Sequence, residues 1–216
     1  MNKKVIDCHT IIFDLGGVIE KINPSAVCKA FKSLGMQNPE NFFSLLKQSR
    51  LCSEFELGHI SQDEFIQTLK IKCSQTTSSL DIEQAWSANQ LGISQDTLSS
   101  LCTLKQKGYR LLLLSNTNPI HSKKIEANFF QKHAQDFRSI FHRIYYSFEI
   151  HRRKPTEAVY AHVIEDAKLS PKECLYIDDL ESNLIIPKKL GMHCVLHPTN
   201  TEIKTLDIFK SKLAQS

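Results

Sequence analysis

Four short polar motifs in this chain could act together on a phosphate group. They are Asp14, Ser115 with Asn116, Lys154, and Asp178 with Asp179. A carboxylate can attack phosphorus as a nucleophile and so divide one difficult displacement into two easier ones. Hydroxyl and amide groups suit phosphate oxygens, and a lysine supplies a compact positive charge. Because two anions repel each other, the attack needs a cation between them, and Mg²⁺ prefers oxygen ligands such as carboxylates.

Three of these motifs follow apolar runs, which predicts that they lie at the ends of buried strands. The runs are 11–13, 111–114 and 174–177. Short apolar runs are typical of strands buried on both faces of a parallel sheet, and such sheets bind ligands at the carboxyl ends of their strands. Gly16 and Gly17 allow a sharp turn close to a ligand. Each motif alone also fits an ordinary core strand that runs into a turn, so the prediction depends on the whole series.

The elements around the motifs predict the fold class α/β. From residue 91 onward, strands alternate with helices, which indicates a Rossmann-like parallel sheet with helices on both faces. A last helix is predicted after Leu196. The predicted core joins residues 1–21 to residues 91–216.

Residues 22–90 show helical patterns and no convincing strand, which predicts an inserted, all-helical cap. Asn23–Pro24 has the cap-then-proline pattern of a helix start, and Ser61 begins a capping box. Asn38–Pro39 predicts a further helix with Phe42, Phe43, Leu45 and Leu46 on its apolar face. All four motifs lie outside this block, so the block is expected to cover the site rather than to carry its chemistry.

Composition excludes several function classes. The chain has 216 residues and a net charge of +4, with its basic residues scattered, so nucleic acid is not an expected partner. Its 7 cysteines have no C-x-x-C spacing, which argues against a disulfide framework or a zinc site. No segment has the length and apolarity of a signal peptide or a membrane span. We therefore expect a cytoplasmic protein without a membrane partner, as a monomer or weak dimer.

In this order, the four motifs resemble those of the haloacid dehalogenase-like hydrolase superfamily, over residues 11–196. The likeness is greatest to small sugar-phosphate phosphatases of the α-glucose-1-phosphate phosphatase type, whose first motif also reads Asp-Leu-Gly. The resemblance implies an Mg²⁺-dependent phosphatase that acts on a small phosphorylated metabolite through an aspartyl-phosphate. It also implies that the inserted helices form a cap over the active site.

The resemblance implies a role for each matching residue. Asp14 is the nucleophile, and Lys154, Ser115 and Asn116 hold the phosphoryl group. The metal ligands are Asp14, the Gly16 carbonyl and Asp178. Asp179 orients a water molecule at the metal, and Asn183 supports the acidic pair. In the basic run before Lys154, Arg152 and Arg153 are expected to be solvated, with binding of an anionic substrate tail as the less favoured alternative.

Three positions depart from the family pattern, at Gly16, His151 and Pro187, and Pro187 stands where a small helix former is usual. Most phosphatases of the superfamily have an aspartate as general acid and base where this chain has Gly16. Such a group is typically worth about 10²–10⁴-fold in rate, so turnover is expected to be slow or limited to good leaving groups. His151 stands where relatives often have glycine.

Two other functions remain open at this point. A 2-haloacid dehalogenase would use the same nucleophile on carbon, but it needs no metal, so the Asp178–Asp179 pair disfavours it. A catalytically weak phosphate-binding module is the second alternative, and Gly16 is the best argument for it. The cap sets the substrate, and Glu54, Glu56 and His59 are its candidate residues.

Overall fold

A computed structural model describes residues 8–43 and 49–205. These residues form seven strands: β1 (Thr10–Phe13), β2 (Lys21–Ile22), β3 (Gln90–Gly92), β4 (Arg110–Ser115), β5 (Arg143–Tyr146), β6 (Cys174–Asp178) and β7 (His193–Leu196). They also form nine α-helices: α1 (Pro24–Ser33), α2 (Arg50–Glu56), α3 (Gln62–Lys70), α4 (Ser79–Trp86), α5 (Gln95–Gln106), α6 (Pro119–His133), α7 (Ser147–Ile150), α8 (Glu157–Asp166) and α9 (Glu181–Lys189).

Five strands form one parallel sheet in the order β5-β4-β1-β6-β7. In this sheet Ile12 of β1 pairs with Leu112 on one side and with Tyr176 on the other. One apolar cluster, which includes Phe13 and Leu113, packs on one face, and a second, which includes Ile12, lies on the opposite face. Both faces of the central strands are therefore buried, and the predicted α/β, Rossmann-like fold is confirmed.

Helix starts follow the capping signals of the sequence. The hydroxyls of Ser61, Ser78 and Ser94 accept hydrogen bonds from backbone N–H groups in the first turns of α3, α4 and α5. Asn38–Pro39 begins only a short 3₁₀ turn, Pro39–Asn41. The rest of that predicted helix, including Leu45 and Leu46, lies in residues 44–48, outside the described residues. The predicted last helix falls largely in 206–216, which are also outside them.

The helices of the insertion have an apolar cluster of their own. It joins α1, α2, α3 and α4 through residues such as Phe31, Phe55, Phe65 and Trp86, and Ile120 of α6 also belongs to it. At the two ends of the insertion, β2 and β3 pair antiparallel. The expectation of no strand in 22–90 was wrong at these ends, because two- and three-residue strands are too short to show a period. The division into core 1–21 with 91–216 and cap 22–90 stays a prediction.

Two composition-based points can be compared with the structure. All seven cysteines are free thiols. Among the described residues, no helix has both the length and the apolarity needed to cross a membrane.

Candidate active site

Neighbouring strands of the sheet bring three of the four motifs to one edge. Asp14 follows β1, Ser115 ends β4 and Asp178 ends β6, and β1 lies between the other two. The fourth motif comes from the loop after α7, where the Lys154 ammonium lies 2.7 Å from Asp14 Oδ1 and 2.7 Å from Asp178 Oδ2. All three side chains are buried, Asp178 completely. The sequence-predicted nucleophile, lysine and first acid of the pair therefore meet.

Asp14 is held so that one of its oxygens remains available. Its Oδ1 accepts hydrogen bonds from the Leu15 N–H at 2.7 Å and from Lys154 at 2.7 Å. No described residue donates a hydrogen bond to Oδ2. Burial raises the pKa of Asp14 to about 7, against the opposing positive charge of Lys154 and with help from the negative charge of Asp178. Oδ2 is therefore the oxygen that can attack.

Asp178 is surrounded by hydrogen-bond donors. Its Oδ2 accepts from Lys154 and, at 2.6 Å, from the Tyr176 hydroxyl, and its Oδ1 accepts from the Leu180 N–H. The Asn183 amide donates to both oxygens at 3.0 and 3.1 Å. Burial acts to raise the pKa of Asp178, but Lys154 and the hydrogen bonds outweigh it and hold the pKa below its ordinary value. Asp178 is therefore an ionised anchor for Lys154.

Lys154 is charged in spite of its burial. Burial alone would lower the pKa of its ammonium, but the carboxylates of Asp14 and Asp178 reverse the effect and place the pKa above its ordinary value. Asn116 fixes the backbone of the same residue, because its amide oxygen accepts from the Lys154 N–H at 2.8 Å and its amide nitrogen donates to the Lys154 carbonyl at 2.9 Å. The predicted contact of Ser115 and Asn116 with phosphate stays a prediction. For Asn116 the backbone N–H and the second amide hydrogen remain available for that contact, because the amide oxygen and one amide hydrogen already bind the Lys154 backbone.

Asp179 completes a cluster of three carboxylates. Asp14, Asp178 and Asp179 each present an oxygen within 4.8 Å of the other two. Asp179 is half-buried and accepts a hydrogen bond from the Thr199 hydroxyl at 2.9 Å. Burial, together with the charge of Asp178, raises the pKa of Asp179. Three acids against one lysine leave excess negative charge on oxygen ligands, and this donor set fits a hard divalent cation such as Mg²⁺.

Gly17 makes room for Asp179. Its φ is +79°, and a Cβ at this position would lie 2.3 Å from Asp179 Oδ2. Any other residue would therefore push the carboxylate away and strain the backbone. Gly16 differs, because its φ is not in the left-handed region and a Cβ there would make only an ordinary contact, 3.6 Å from Ile22 Cγ2.

Sequence reasoning missed two further residues near the site. Tyr176 precedes Asp178 by two positions in β6, and the period-2 alternation of a strand could have placed its hydroxyl on the same face as the carboxylate. Arg153 was expected to be solvated, but it is half-buried and forms an ion pair at 3.0 Å with Glu56 of α2. A single sequence carries no signal for that long-range contact.

The other candidate cap residues also have partners. His59 Nδ1 lies 2.9 Å from Glu54 Oε2. His151 has a φ of 53°, in the left-handed region that favours glycine.

Another polar contact joins the end of α4 to the start of α6. Asn118 Oδ1 accepts from the Trp86 indole N–H at 3.2 Å and from the His121 backbone N–H at 3.1 Å. The Asn118 amide nitrogen therefore faces His121 Nδ1, at 3.2 Å, and His121 Nε2 donates to the Trp86 carbonyl at 3.0 Å. This pattern requires a neutral imidazole, and burial lowers the pKa of His121 to about 4.

We expect this contact to contribute less to the stability of the fold in acid than at neutral pH. The unfolded chain takes up a proton on His121 below pH 6.5, whereas the folded chain does so only near pH 4. Between pH 7 and pH 5 the contribution of His121 to the unfolding free energy should fall by about 2 kcal/mol. Because carboxylates with raised pKa titrate in the same range, the quantity to measure is the difference between wild type and His121→Gln in urea unfolding at the two pH values. A difference that does not change with pH would contradict the buried neutral imidazole.

The chain is similar in sequence to proteins of known family. A model of the haloacid dehalogenase-like hydrolase family matches residues 8–191. The D-ribitol-5-phosphate phosphatase of Bacteroides thetaiotaomicron is 30% identical over 181 residues, which cover 84% of this chain and 87% of that protein.

Solved structures agree in fold over nearly the whole chain. A haloacid dehalogenase family enzyme from Bacteroides thetaiotaomicron, an aspartate-to-alanine variant in complex with magnesium and inorganic phosphate, superposes with a TM-score of 0.88 at 29% identity and covers 93% of this chain and 98% of its own. A predicted hydrolase of the same kind from Porphyromonas gingivalis has a TM-score of 0.84 at 28% identity and covers 97% of this chain and 99% of its own.

Proposed function

Because this chain belongs to the haloacid dehalogenase-like hydrolase family, we propose that it is an Mg²⁺-dependent phosphatase that hydrolyses a small phosphorylated sugar or sugar alcohol. The observation that carries the proposal is the position of Lys154, buried between the carboxylates of Asp14 and Asp178 with Asp179 beside them. One cation among three acids leaves an excess of negative charge that a bound divalent metal ion would offset. The D-ribitol-5-phosphate phosphatase among its relatives supports the substrate class.

The residues of the site suit two successive displacements at phosphorus. Asp14 Oδ2 attacks the phosphorus, the bond to the ester oxygen breaks, and the alcohol leaves with a proton that solvent or the substrate supplies. Water then attacks the aspartyl-phosphate and releases inorganic phosphate, which regenerates Asp14. Lys154, held by Asp178, neutralises the phosphoryl oxygens as charge develops on them. A bound Mg²⁺ would add charge neutralisation between the two anions.

For the metal ligands we propose Asp14, Asp179 and the Gly16 carbonyl. The sequence-based prediction places Asp178 on the metal and Asp179 on a water molecule, but the hydrogen bonds favour the reverse division. Both oxygens of Asp178 already accept from several donors, and its side chain is fully buried. Asp179 is more exposed, and its side chain accepts a hydrogen bond from the Thr199 hydroxyl.

Matched substitutions separate the two roles. In Asp178→Asn, the new NH₂ group would face hydrogen-bond donors such as the Tyr176 hydroxyl, and the Lys154 ammonium would lose one of its two carboxylate partners. We therefore expect the unfolding free energy to fall by about 3–5 kcal/mol. Asp179→Asn should fold like wild type and bind Mg²⁺ about tenfold more weakly or worse. Urea unfolding and calorimetric titration with Mg²⁺ would measure both effects. The opposite result would be an Asp178→Asn protein that has normal stability but no longer binds Mg²⁺, together with an Asp179→Asn protein that still binds it. That result would show that Asp178, and not Asp179, is the metal ligand.

A substrate screen tests the function itself. Phosphate release would be measured with phosphorylated sugars and sugar alcohols, with aryl phosphates and with 2-haloacids, each with and without Mg²⁺. Release of phosphate that depends on Mg²⁺ supports the proposal. Halide release without metal would instead support a dehalogenase, and binding of Mg²⁺ and phosphate without turnover would support a binding module.

A further inference from the structure

Two segments that lie far apart in the sequence meet beside the loop that carries Lys154. We call their contact the clasp, formed by residues 53–58 at the end of α2 and residues 147–153 before Lys154. At its centre Arg153 reaches two groups of α2, with Nη1 donating to the Ser53 hydroxyl at 2.9 Å and Nη2 lying 3.0 Å from Glu56 Oε2. Because Ser53 and Glu56 are one helical turn apart, one guanidinium binds both on the same helix face.

Backbone contacts extend the clasp on both sides of Arg153. The Ser147 hydroxyl lies 2.6 Å from the Glu56 carbonyl, and His151 Nδ1 lies 2.8 Å from the Leu57 carbonyl. Gly58 has a φ of +69°, and a Cβ there would lie 2.3 Å from the Phe148 carbonyl oxygen. The end of α2 is therefore packed so close to the loop that position 58 has no room for a side chain.

The same loop also contacts the segment around Asn116, which is predicted to bind phosphate. The Thr117 N–H donates to the Ser147 hydroxyl at 3.0 Å, next to the Asn116 side chain that pairs with the Lys154 backbone. Arg153 is bonded directly to Lys154 in the chain. A shift of α2 relative to this loop must therefore break contacts at Arg153, Ser147 or His151.

Because the Arg153–Glu56 ion pair is partly buried, its loss is expected to cost more stability than the loss of an exposed ion pair. The side chains of Arg153 and Glu56 retain 24% and 14% of their exposure. Exposed pairs contribute little, but removal of one partner from a buried pair leaves the other charge desolvated and unpaired. The neighbouring Arg152 offers the contrast, because it is exposed and donates to the Ile150 carbonyl of its own loop.

We propose that Arg153 is a positioning residue that fixes α2 over the Lys154 loop, so that the part of the substrate beyond its phosphate is enclosed. This inference rests on the proposed phosphatase function. It predicts that the clasp matters for a phosphorylated sugar or sugar alcohol and not for inorganic phosphate, which needs only the buried residues.

The test compares Arg153→Ala and Glu56→Gln with the control Arg152→Ala. For the best phosphorylated sugar or sugar alcohol found in the screen, we expect kcat/KM to fall about tenfold in the first two variants and to stay within twofold of wild type in the control. The inhibition constant of inorganic phosphate should stay within twofold in all three. The double variant should lose no more than either single one, because both remove the same contact. The charge-reversed pair Arg153→Glu with Glu56→Arg should recover part of the loss.

Three results would overturn the inference. The first is an Arg153→Ala protein whose kcat/KM matches that of Arg152→Ala. The second is a loss of affinity for inorganic phosphate as large as the loss of kcat/KM for the ester. The third is a double variant whose loss of kcat/KM equals the sum, in free energy, of the losses in the two single variants. Amide hydrogen exchange gives a readout that does not need turnover, since Arg153→Ala should speed exchange in residues 53–58 more than in the central strands β1 and β4. If wild type hydrolyses no phosphate ester, the proposed function fails, while unchanged exchange in Arg153→Ala would mean that the clasp itself fails.

Discussion

Asp14→Asn should abolish phosphate release while the protein stays folded. An amide cannot form the aspartyl-phosphate, and removal of a covalent nucleophile elsewhere has cost about six orders of magnitude in turnover. The fold should survive because Lys154 keeps Asp178, and because the change removes a carboxylate whose pKa is already raised by burial. The measurements are initial rates of phosphate release and the thermal midpoint.

The matched control for this substitution is Asp63→Asn, the same change at an exposed position in the first turn of α3. It should leave the rate unchanged. Quenched wild-type protein should carry one phosphoryl group on the peptide that contains Asp14. A folded Asp14→Asn protein that keeps a percent or more of wild-type turnover would show that another group attacks.

Gly16→Asp should raise turnover of alkyl phosphates far more than turnover of aryl phosphates. The added carboxyl can protonate a poor leaving group, which is worth up to about 10²–10⁴-fold, whereas an aryl oxygen leaves without that help. The structure tolerates the side chain, because Gly16 has no left-handed φ and an added Cβ would contact Ile22 at 3.6 and 3.7 Å.

The control is Gly16→Asn, which has nearly the same shape and no proton to give. The quantity to compare is the ratio of aryl to alkyl rates in the three proteins, together with their thermal midpoints. If folded Gly16→Asp keeps the wild-type ratio, the absence of an acid at position 16 does not limit this enzyme.

Strand ends were the part of the site that sequence could predict. Asp14, Ser115 and Asp178 each end an apolar run, and parallel strands bring their carboxyl ends to one edge, so the convergence follows from pattern alone. The difference in hydrogen bonding between Asp178 and Asp179 could not be predicted in this way. It depends on donors from other elements, above all Lys154 and the amide of Asn183.

Contacts between distant segments were the part that sequence could not supply. Arg153 and Ser53 are 100 residues apart in the chain, and nothing in a basic run shows that one arginine is solvated and the next is paired. The strands β2 and β3 were missed for a different reason, because they are shorter than the patterns by which strands are found.

The cluster of three acids around one lysine has a consequence for the order in which ligands bind. With Asp14 ionised, Asp14, Asp178 and Asp179 outweigh Lys154 by two negative charges. A phosphate monoester carries a charge of about −1.5 to −2 at neutral pH, so this cluster would repel it until a divalent cation has cancelled the excess negative charge. We therefore expect compulsory-order kinetics in which Mg²⁺ enters before the ester and inorganic phosphate departs before Mg²⁺.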